Sequence, residues 1–469
     1  MQAAKPTVRN GYIIRTGRGY SLGELMEAGL NSRVARKSGM PVDVLRRRSQ
    51  MTLVVPKIDR LAGIECYCTS FTGTGGSIKQ GSGDFSVSEL VDESLAGSIS
   101  PAFDDRHGYP LYILEKHDID SNHALFEIER ECGVKLRVMG IKDAKAVTTQ
   151  YAGAERVMKN PPGELKSRHT RLIFKGFTKR PIGREFLAGN NFEIAIRDPH
   201  LQDLSDLLPE IGRIGNFYGL QRFGSERLVT HLVGREIVRR NFRSAVELIL
   251  SYTTEYDTPM SKEIRTKIAD PGNYRQGLRI LPRGMDIEQQ VLTVLVAGKD
   301  TVSALRAVPI TIRRLFVQAY QAYIFNKCLS AAVISNEDLL QPVAGDLCFE
   351  LEGPATFGRI IKYDPTSGAK MVPAIRMAGY TFQPGKGRFE NITKAILEEE
   401  GITAKDFHIK EMQELSHQGG FRQALLWCID FSYKQQTPLK VSFKLPKGSY
   451  ATTLLREIIK PEDPIKSGF

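Results

Sequence analysis

The first residue able to do chemistry is an acid at the end of a strand-like run: Asp143, in the stretch GIKDAKAVTTQ from Gly140 to Gln150. Residues 135–139 (KLRVM) alternate in period two and deliver the chain to Gly140, and the residues after Asp143 read as the opening of a helix. By residue type, Asp143 is either an N-cap accepting from free helix amides or an ionised carboxylate that acts as nucleophile or base. Thr148, Thr149 and Gln150 then read as ordinary polar helix residues. Asp84, Glu89 and Asp143 could also be grouped as the carboxylates of a metal-dependent nuclease. A second constellation runs from Leu165 to Arg180. There Lys166, Arg168, Arg171, Lys175, Lys179 and Arg180 are interleaved with Phe174 and Phe177, as on an RNA-contact surface and equally as on a solvated strand face.

The six cysteines are scattered, and their only close pair, Cys66-x-Cys68, has no zinc-finger spacing. The eight histidines include no HExxH and no pair near the cysteines. Reduced thiols, no metal and no cofactor are therefore expected. The N-terminus is polar and basic with no apolar signal core, and no apolar run approaches the roughly 20 residues that span a bilayer. A cytoplasmic protein without membrane contact is expected. The net charge of +12 favours a polyanionic partner through release of phosphate counterions. Residues 1–50 hold ten basic residues against three acidic ones, more than half of that excess.

These residues need elements to position them, and 469 residues exceed one typical core. Residues 1–60 read as a basic helical appendage: Ser21 and Glu24 form a capping-box pattern before an apolar stripe, a second short helix fits Ser32 to Lys37, and Arg46, Arg47 and Arg48 follow. From Gly73 short strands and helices alternate. Residues 84–90 alternate as a half-buried strand, Asp120 or Ser121 caps a helix with Ala124, Leu125, Ile128 and Cys132 on one face, and Phe192, Ile194 and Ile196 share one strand face. Leu439, Val441, Phe443 and Leu445 share another, and Ser449 is placed to cap a helix over 450–459. Between about 216 and 395 long helical patterns dominate, notably 226–252 and 310–335.

Five motifs, in order, resemble the TruD family of tRNA pseudouridine synthases. GIKDAKAVTTQ is similar to that family's GxKDxxAxTxQ signature. GGSIKQGSGDFSVSE, from Gly75 to Glu89, resembles its N-terminal motif, with Gly-Ser-Gly-Asp where a Pro and two acids are usual. LAGNNFEIAIR, from Leu187 to Arg197, resembles its Gly-Asn-x-Phe motif, and IGNFYGLQRFG, from Ile214 to Gly224, its NYFGxQRFG motif with Phe217 and Tyr218 in swapped order. KLPKGSYATTLLREI resembles its closing strand–turn–helix. The likeness spans residues 75 to 459. Separately, some thirty residues of the N-terminal segment resemble part of a large-subunit ribosomal protein family.

The resemblance implies an α+β pseudouridine synthase fold, a mixed and mainly antiparallel sheet flanked by helices, with an inserted helix-rich α/β domain and the basic N-terminal appendage. The implied division is 1–60 for the appendage, 61–215 and 396–469 for a discontinuous catalytic domain, and 216–395 for the insertion. It implies an isomerase that converts a uridine of tRNA, uridine-13 of the D-arm in the family's usual case, with Asp143 as the catalytic carboxylate. Such a reaction is redox-neutral and leaves no group behind, so it requires no cofactor. Lys79 is implied as the ammonium that keeps Asp143 charged. Phe192 is implied to stack on the extruded uracil and Asn190 to read its edge. Gln221, Arg222, Ser449, Lys175, Lys179 and Arg180 are expected RNA contacts, Ser449 through free amides at a helix N-terminus. Lys142 is expected to face away from Asp143, because consecutive strand side chains alternate. The basic N-terminal segment is expected to touch further structured RNA. The alternative is a non-catalytic RNA-binding or ribosome-assembly protein. The sequence specifies no oligomeric state.

Overall fold

The computed structural model describes residues 7–10, 13–16 and 54–469, except 82, 105, 143, 354 and 355. The chain divides into two compact units, 1–54 and 55–469. In the first, β1 (Thr7–Asn10) and β2 (Ile13–Thr16) pair antiparallel, Thr7 opposite Thr16. The two helices expected within 21–37 lie outside the described residues, as do Arg46 to Arg48 and Asp143.

The second unit has the expected α+β class. Its main sheet is built from β3 (Phe85–Val91), β4 (Tyr109–Lys116), β5 (Leu136–Val138), β6 (Val147–Ala154), β7 (Glu164–Lys166), β8 (Thr170–Thr178), β9 (Leu187–Ile196), β14 (Ile429–Lys434) and β15 (Leu439–Pro446). The order is β14-β15-β9-β3-β6-β4-β8-β7, with β5 on the far part of β6; only β3 and β6 run parallel. A second, antiparallel sheet has the order β11-β10-β12-β13, formed by β10 (Leu347–Leu351), β11 (Phe357–Lys362), β12 (Met371–Met377) and β13 (Gly420–Gln423).

Two corrections concern local structure. The residues after Asp143 make a turn and then strand β6, not a helix. Val147, Thr148, Thr149 and Tyr151 are β-branched or aromatic, and pairing with β3 on one side and β4 on the other fixes them as a central strand. The continuous helix expected over 226–252 is two, Thr230–Val238 and Phe242–Ser251. Arg240 takes a left-handed φ of 63° between them, and Asn241 caps the second by accepting from the Ser244 amide.

The register aligns side chains across five strands, since paired residues share a sheet face. One row reads Phe443, Phe192, Val87, Thr148 and Lys116, on β15, β9, β3, β6 and β4. The next holds Leu445, Asn190 and Glu89, then Gln150 opposite Leu114. Two helices cover this face at its flanks. Helix α1 (Ser121–Cys132) is N-capped by Asp120, whose carboxylate accepts from the Asn122 and His123 amides, and it ends at left-handed Gly133. Its Ile128 packs with Tyr112 and Leu114. Helix α3 (Ala451–Ile459) sets Leu454, Leu455 and Ile458 against Phe192 and Phe443. Between the two patches lie the polar side chains of the rows.

Helix α2 (Ile310–Ile334) is buried on most of its circumference and forms the axis of a second core. That core takes in Ile396, Phe407, Met412, Ala424 and Leu425, whereas Leu426 belongs to the main sheet's core. By packing, the helix-rich part thus continues past the expected boundary at 395, because β13 must pair with β12 to complete its sheet.

Candidate active site

The loop leading to Asp143 is held at both ends of Lys142. Its backbone amide donates to the Ser121 hydroxyl at 2.9 Å, and that hydroxyl donates to Gln150 Oε1 at 3.2 Å, so the first residue of α1, the loop and β6 are tied together. Its ammonium lies 2.9 Å from Glu89 Oε1, with side-chain exposures of 10% and 0%. The other Glu89 oxygen accepts from the Tyr151 amide at 2.9 Å. The chain has left strand geometry before residue 142, so the alternation expected of strand side chains does not govern Lys142, and its side chain turns toward Glu89 on β3. A pair this buried needs both members, since either charge alone would carry an uncompensated desolvation cost.

Lys79 sits on the segment that enters β3. Ser77 and Arg197 exchange backbone hydrogen bonds at 3.0 and 2.9 Å, and the Ile78 amide donates to the Ser467 carbonyl. Lys79 itself has φ 58°, a left-handed conformation that costs a non-glycine residue about 1 kcal/mol or more. Its ammonium lies 4.8 Å from the centre of the Phe85 ring. Asp84 locks the same turn, accepting from Arg197 Nε and Nη2 at 2.8 and 2.7 Å and from the Gly81 amide at 2.6 Å. The Arg197 hydrogen bond is the largest influence on the Asp84 carboxyl and holds its pKa below the ordinary value. With Asp84 committed to Arg197 and Glu89 to Lys142, the two acids do not form a shared carboxylate cluster for a metal.

Lys79, Phe85 and Phe192 follow one another in contact, and Asn190 lies one row further along β9 on the same face as Phe192. Phe192 meets Phe85 edge-on at 6.2 Å and stacks on Phe443 at 5.3 Å, and is only 7% exposed. Asn190 Oδ1, Gln150 Nε2 and Thr148 Oγ1 are buried and have no hydrogen-bond partner among the described residues. Those three atoms offer an acceptor, a donor and a hydroxyl on one face of the sheet, and buried polar atoms of this kind ordinarily find a partner.

The expected RNA contacts fall into two groups. Arg222 lies by Tyr218, and Ser449 directly precedes Tyr450, whose ring meets that of Tyr218 at 5.8 Å. Arg222 donates to Gln318 at 3.2 Å and lies 5.7 Å from the Tyr218 ring centre, while the Gln221 side chain is exposed. Ser449 is not the N-cap of α3; Tyr450 is, one residue later, and Ser449 closes a turn by donating its amide to Pro446. The second group, Lys175, Lys179 and Arg180, is exposed on and beyond β8. β8 is four strand steps from β9, roughly 19 Å at about 4.8 Å per step, so it does not join Asn190 and Phe192. Arg180 lies over the Phe186 ring and 3.6 Å from Glu185.

One residue not foreseen organises the Tyr218 cluster. Arg422, buried, donates to the carbonyl and side-chain oxygen of Asn216 and to the Gly448 carbonyl, and its guanidinium lies 4.1 Å from the Tyr218 ring centre. Burial is the largest influence on it and lowers its pKa. It joins the Ile214–Gly224 motif to the turn after β15, whose last residue pairs with Gly189 beside Asn190. Nothing in the local pattern GFRQ marks this arginine, because its partners are about 200 residues earlier and 26 residues later.

Comparison with known proteins bears on the whole of this region. Residues 61–458 match the family described as tRNA pseudouridine synthase D (TruD). Residues 3–93 match the family described as ribosomal protein L13e. The chain is 32% identical over 377 residues to a probable tRNA pseudouridine synthase D of Methanopyrus kandleri, covering 78% of this chain and 88% of the relative. It is 31% identical to the similarly named protein of Pyrobaculum islandicum, covering 88% and 99%. A crystal structure from Methanosarcina mazei, assigned to the same family, matches with a TM-score of 0.72 at 27% identity, over 88% of this chain and 99% of the other.

Proposed function

The chain belongs to the tRNA pseudouridine synthase D (TruD) family, and on that premise we propose that it isomerises uridine-13 in the D-arm of tRNA to pseudouridine, with Asp143 as the reacting carboxylate. The observation that carries this reading is the double anchorage of Lys142, by Ser121 and by Glu89, directly before Asp143. The reaction breaks the bond from ribose C1′ to N1 of uracil, rotates the base, and forms the bond from C1′ to C5. N1 gains a proton and the C5 proton leaves to solvent, so atoms balance without oxidant, cofactor or leaving group. Asp143 either attacks C1′ or removes the C2′ proton. Lys79 favours the ionised carboxylate. Asn190 Oδ1 is chemically suited to accept from uracil N3–H, and Gln150 Nε2 to donate to a ring carbonyl.

Phe192 combines two roles in this reading, core packing against Phe443 and an edge toward the extruded base. Phe192→Leu keeps most of the volume and is expected to lower turnover about tenfold, since stacking on an aromatic contributes about 1–3 kcal/mol per base. Affinity for tRNA is expected to change little, because remote phosphates dominate it. A turnover number equal to wild type assigns Phe192 to packing alone.

The catalytic domain we propose combines the main sheet with α1 and α3, and the helix-rich part with the second sheet makes the opposite wall of an RNA cleft. Arg222, Gln221 and the turn at Ser449 would meet the phosphates nearest the reacting nucleotide. Lys175, Lys179 and Arg180 would meet a more distant part of the same tRNA. Residues 1–54 act as an RNA arm in a cytoplasmic enzyme. Their removal is expected to weaken tRNA binding and to lower the slope of log K against log salt by about one unit for each phosphate that the shortened protein leaves unneutralised, with the single-turnover rate at saturation unchanged. Equal binding at every salt concentration would exclude the arm. The position is tested with unmodified tRNA transcripts mapped by carbodiimide modification and primer extension. A stop at position 13, absent from a transcript with cytidine there, is expected; stops only elsewhere would transfer the activity to another uridine.

A further inference from the structure

We propose that His117, Asp118 and His169 form a binding site for a divalent transition metal of the zinc class, at the end of the β4–β8 ladder and separate from the isomerisation chemistry. One ligand atom from each side chain lies within 4.8 Å of the others. The ladder sets the geometry. Lys116 pairs with Thr170, and one step on, the His117 amide donates to the His169 carbonyl at 3.1 Å, which brings the two imidazoles to 5.5 Å between ring centres. Asp118 takes a left-handed φ of 55°, and its carboxylate lies 3.2 Å from His117 Nδ1.

A second observation points to a ligand. His169 Nδ1 is buried and has no hydrogen-bond partner among the described residues, although an imidazole nitrogen hidden from water ordinarily has one. The protein's other close His–Asp pairs, His107 with Asp104 and His123 with Asp120, are three residues apart and contain one imidazole each. Only the 117/118/169 group joins two imidazoles and a carboxylate among the described residues.

The donor set selects the ion. Two imidazoles with one carboxylate suit zinc and its neighbours, whereas magnesium and calcium prefer oxygen ligands throughout. Ligands about 2.0–2.1 Å from a shared ion in tetrahedral geometry stand about 3.3 Å apart, so closing the group from 4.8 Å needs about 1.5 Å of approach shared between the side chains. Side chains of His117 and Asp118 that are 49% and 52% exposed can move that far. A three-residue set leaves a fourth position, open to solvent here. The bound ion would clasp β4 to β8 at the end of the sheet.

The test uses the full-length protein stripped with EDTA, titrated with zinc against a chromogenic chelator and, separately, with cobalt by visible absorption. One zinc equivalent is expected, with affinity falling at least tenfold in both His117→Asn and His169→Asn, which is the scale of losing a ligand or its support. The cobalt spectrum should lack thiolate charge-transfer bands, and His123→Asn and a Cys66→Ser, Cys68→Ser double variant should bind as wild type. Circular dichroism verifies that each variant is folded; His117, half-exposed, is the substitution least able to disturb the fold. Zinc binding absent from wild type, undiminished in His117→Asn, or lost only with the two cysteines, overturns the proposal.

Discussion

Asp143→Asn is expected to abolish pseudouridine formation, lowering the single-turnover rate by on the order of 10⁴-fold or more, the scale seen when a reacting group is removed from an otherwise intact site. The amide keeps the shape and hydrogen-bonding reach of the carboxylate but can neither attack C1′ nor take the C2′ proton. Binding of tRNA is expected to stay within about threefold of wild type, because phosphate contacts dominate affinity and none is removed. A small gain in affinity would fit, since one negative charge leaves the neighbourhood of the RNA backbone. The comparison separates catalysis from RNA binding: a non-catalytic binder would show no product with either protein. An Asp143→Asn protein that turns over at the wild-type rate removes this residue from the chemistry.

Lys142→Met is expected to destabilise the protein by about 3–5 kcal/mol, the cost of leaving a buried charge without its partner, measured as a lower urea midpoint of the full chain. Glu89 would then lie under the sheet face with 0% side-chain exposure, bonded only to the Tyr151 amide. Joining Glu89→Gln to Lys142→Met is expected to restore much of the loss, because the amide still accepts from Tyr151 and no buried charge remains. The same single variant should slow turnover, since the loop before Asp143 loses one of its two anchors while the Ser121 bond remains. If Lys142→Met and the double variant unfold at the wild-type midpoint, the pair is not the structural latch described.

What the sequence disclosed and what it hid follow from the range of the forces involved. The β3 and β9 faces, the cap at Asp120 and the long helix at Ile310–Ile334 are written in periodicity and single residues. Pairing partners are not. The stretch after Asp143 through Gln150 reads as helix until β3 and β4 claim both edges of Val147–Ala154. The partner of Lys142 is not legible either, because Glu89 lies 53 residues earlier. The β13 strand, which carries the helix-rich part beyond residue 395, exists only as a partner of β12. Ser449 misses the cap by one residue, an ordinary error for helix ends. The basic run through Lys175, Lys179 and Arg180 was legible as exposed, but its distance from Asn190 depends on strand order, which local pattern does not encode. The 117/118/169 group was hidden for the same reason: spacing reveals metal ligands only when they are close in the chain.

The most direct test of the central claim follows the hydrogen on C5 of uracil. A tRNA transcript labelled with [5-³H]uridine, incubated with the full-length protein in EDTA, should release one tritium per tRNA to water, because C5 loses its proton when it joins ribose C1′. The released label should match the pseudouridine recovered at position 13, with no strand cleavage. Saturating binding of the transcript with no tritium released would contradict the account, whatever the affinity.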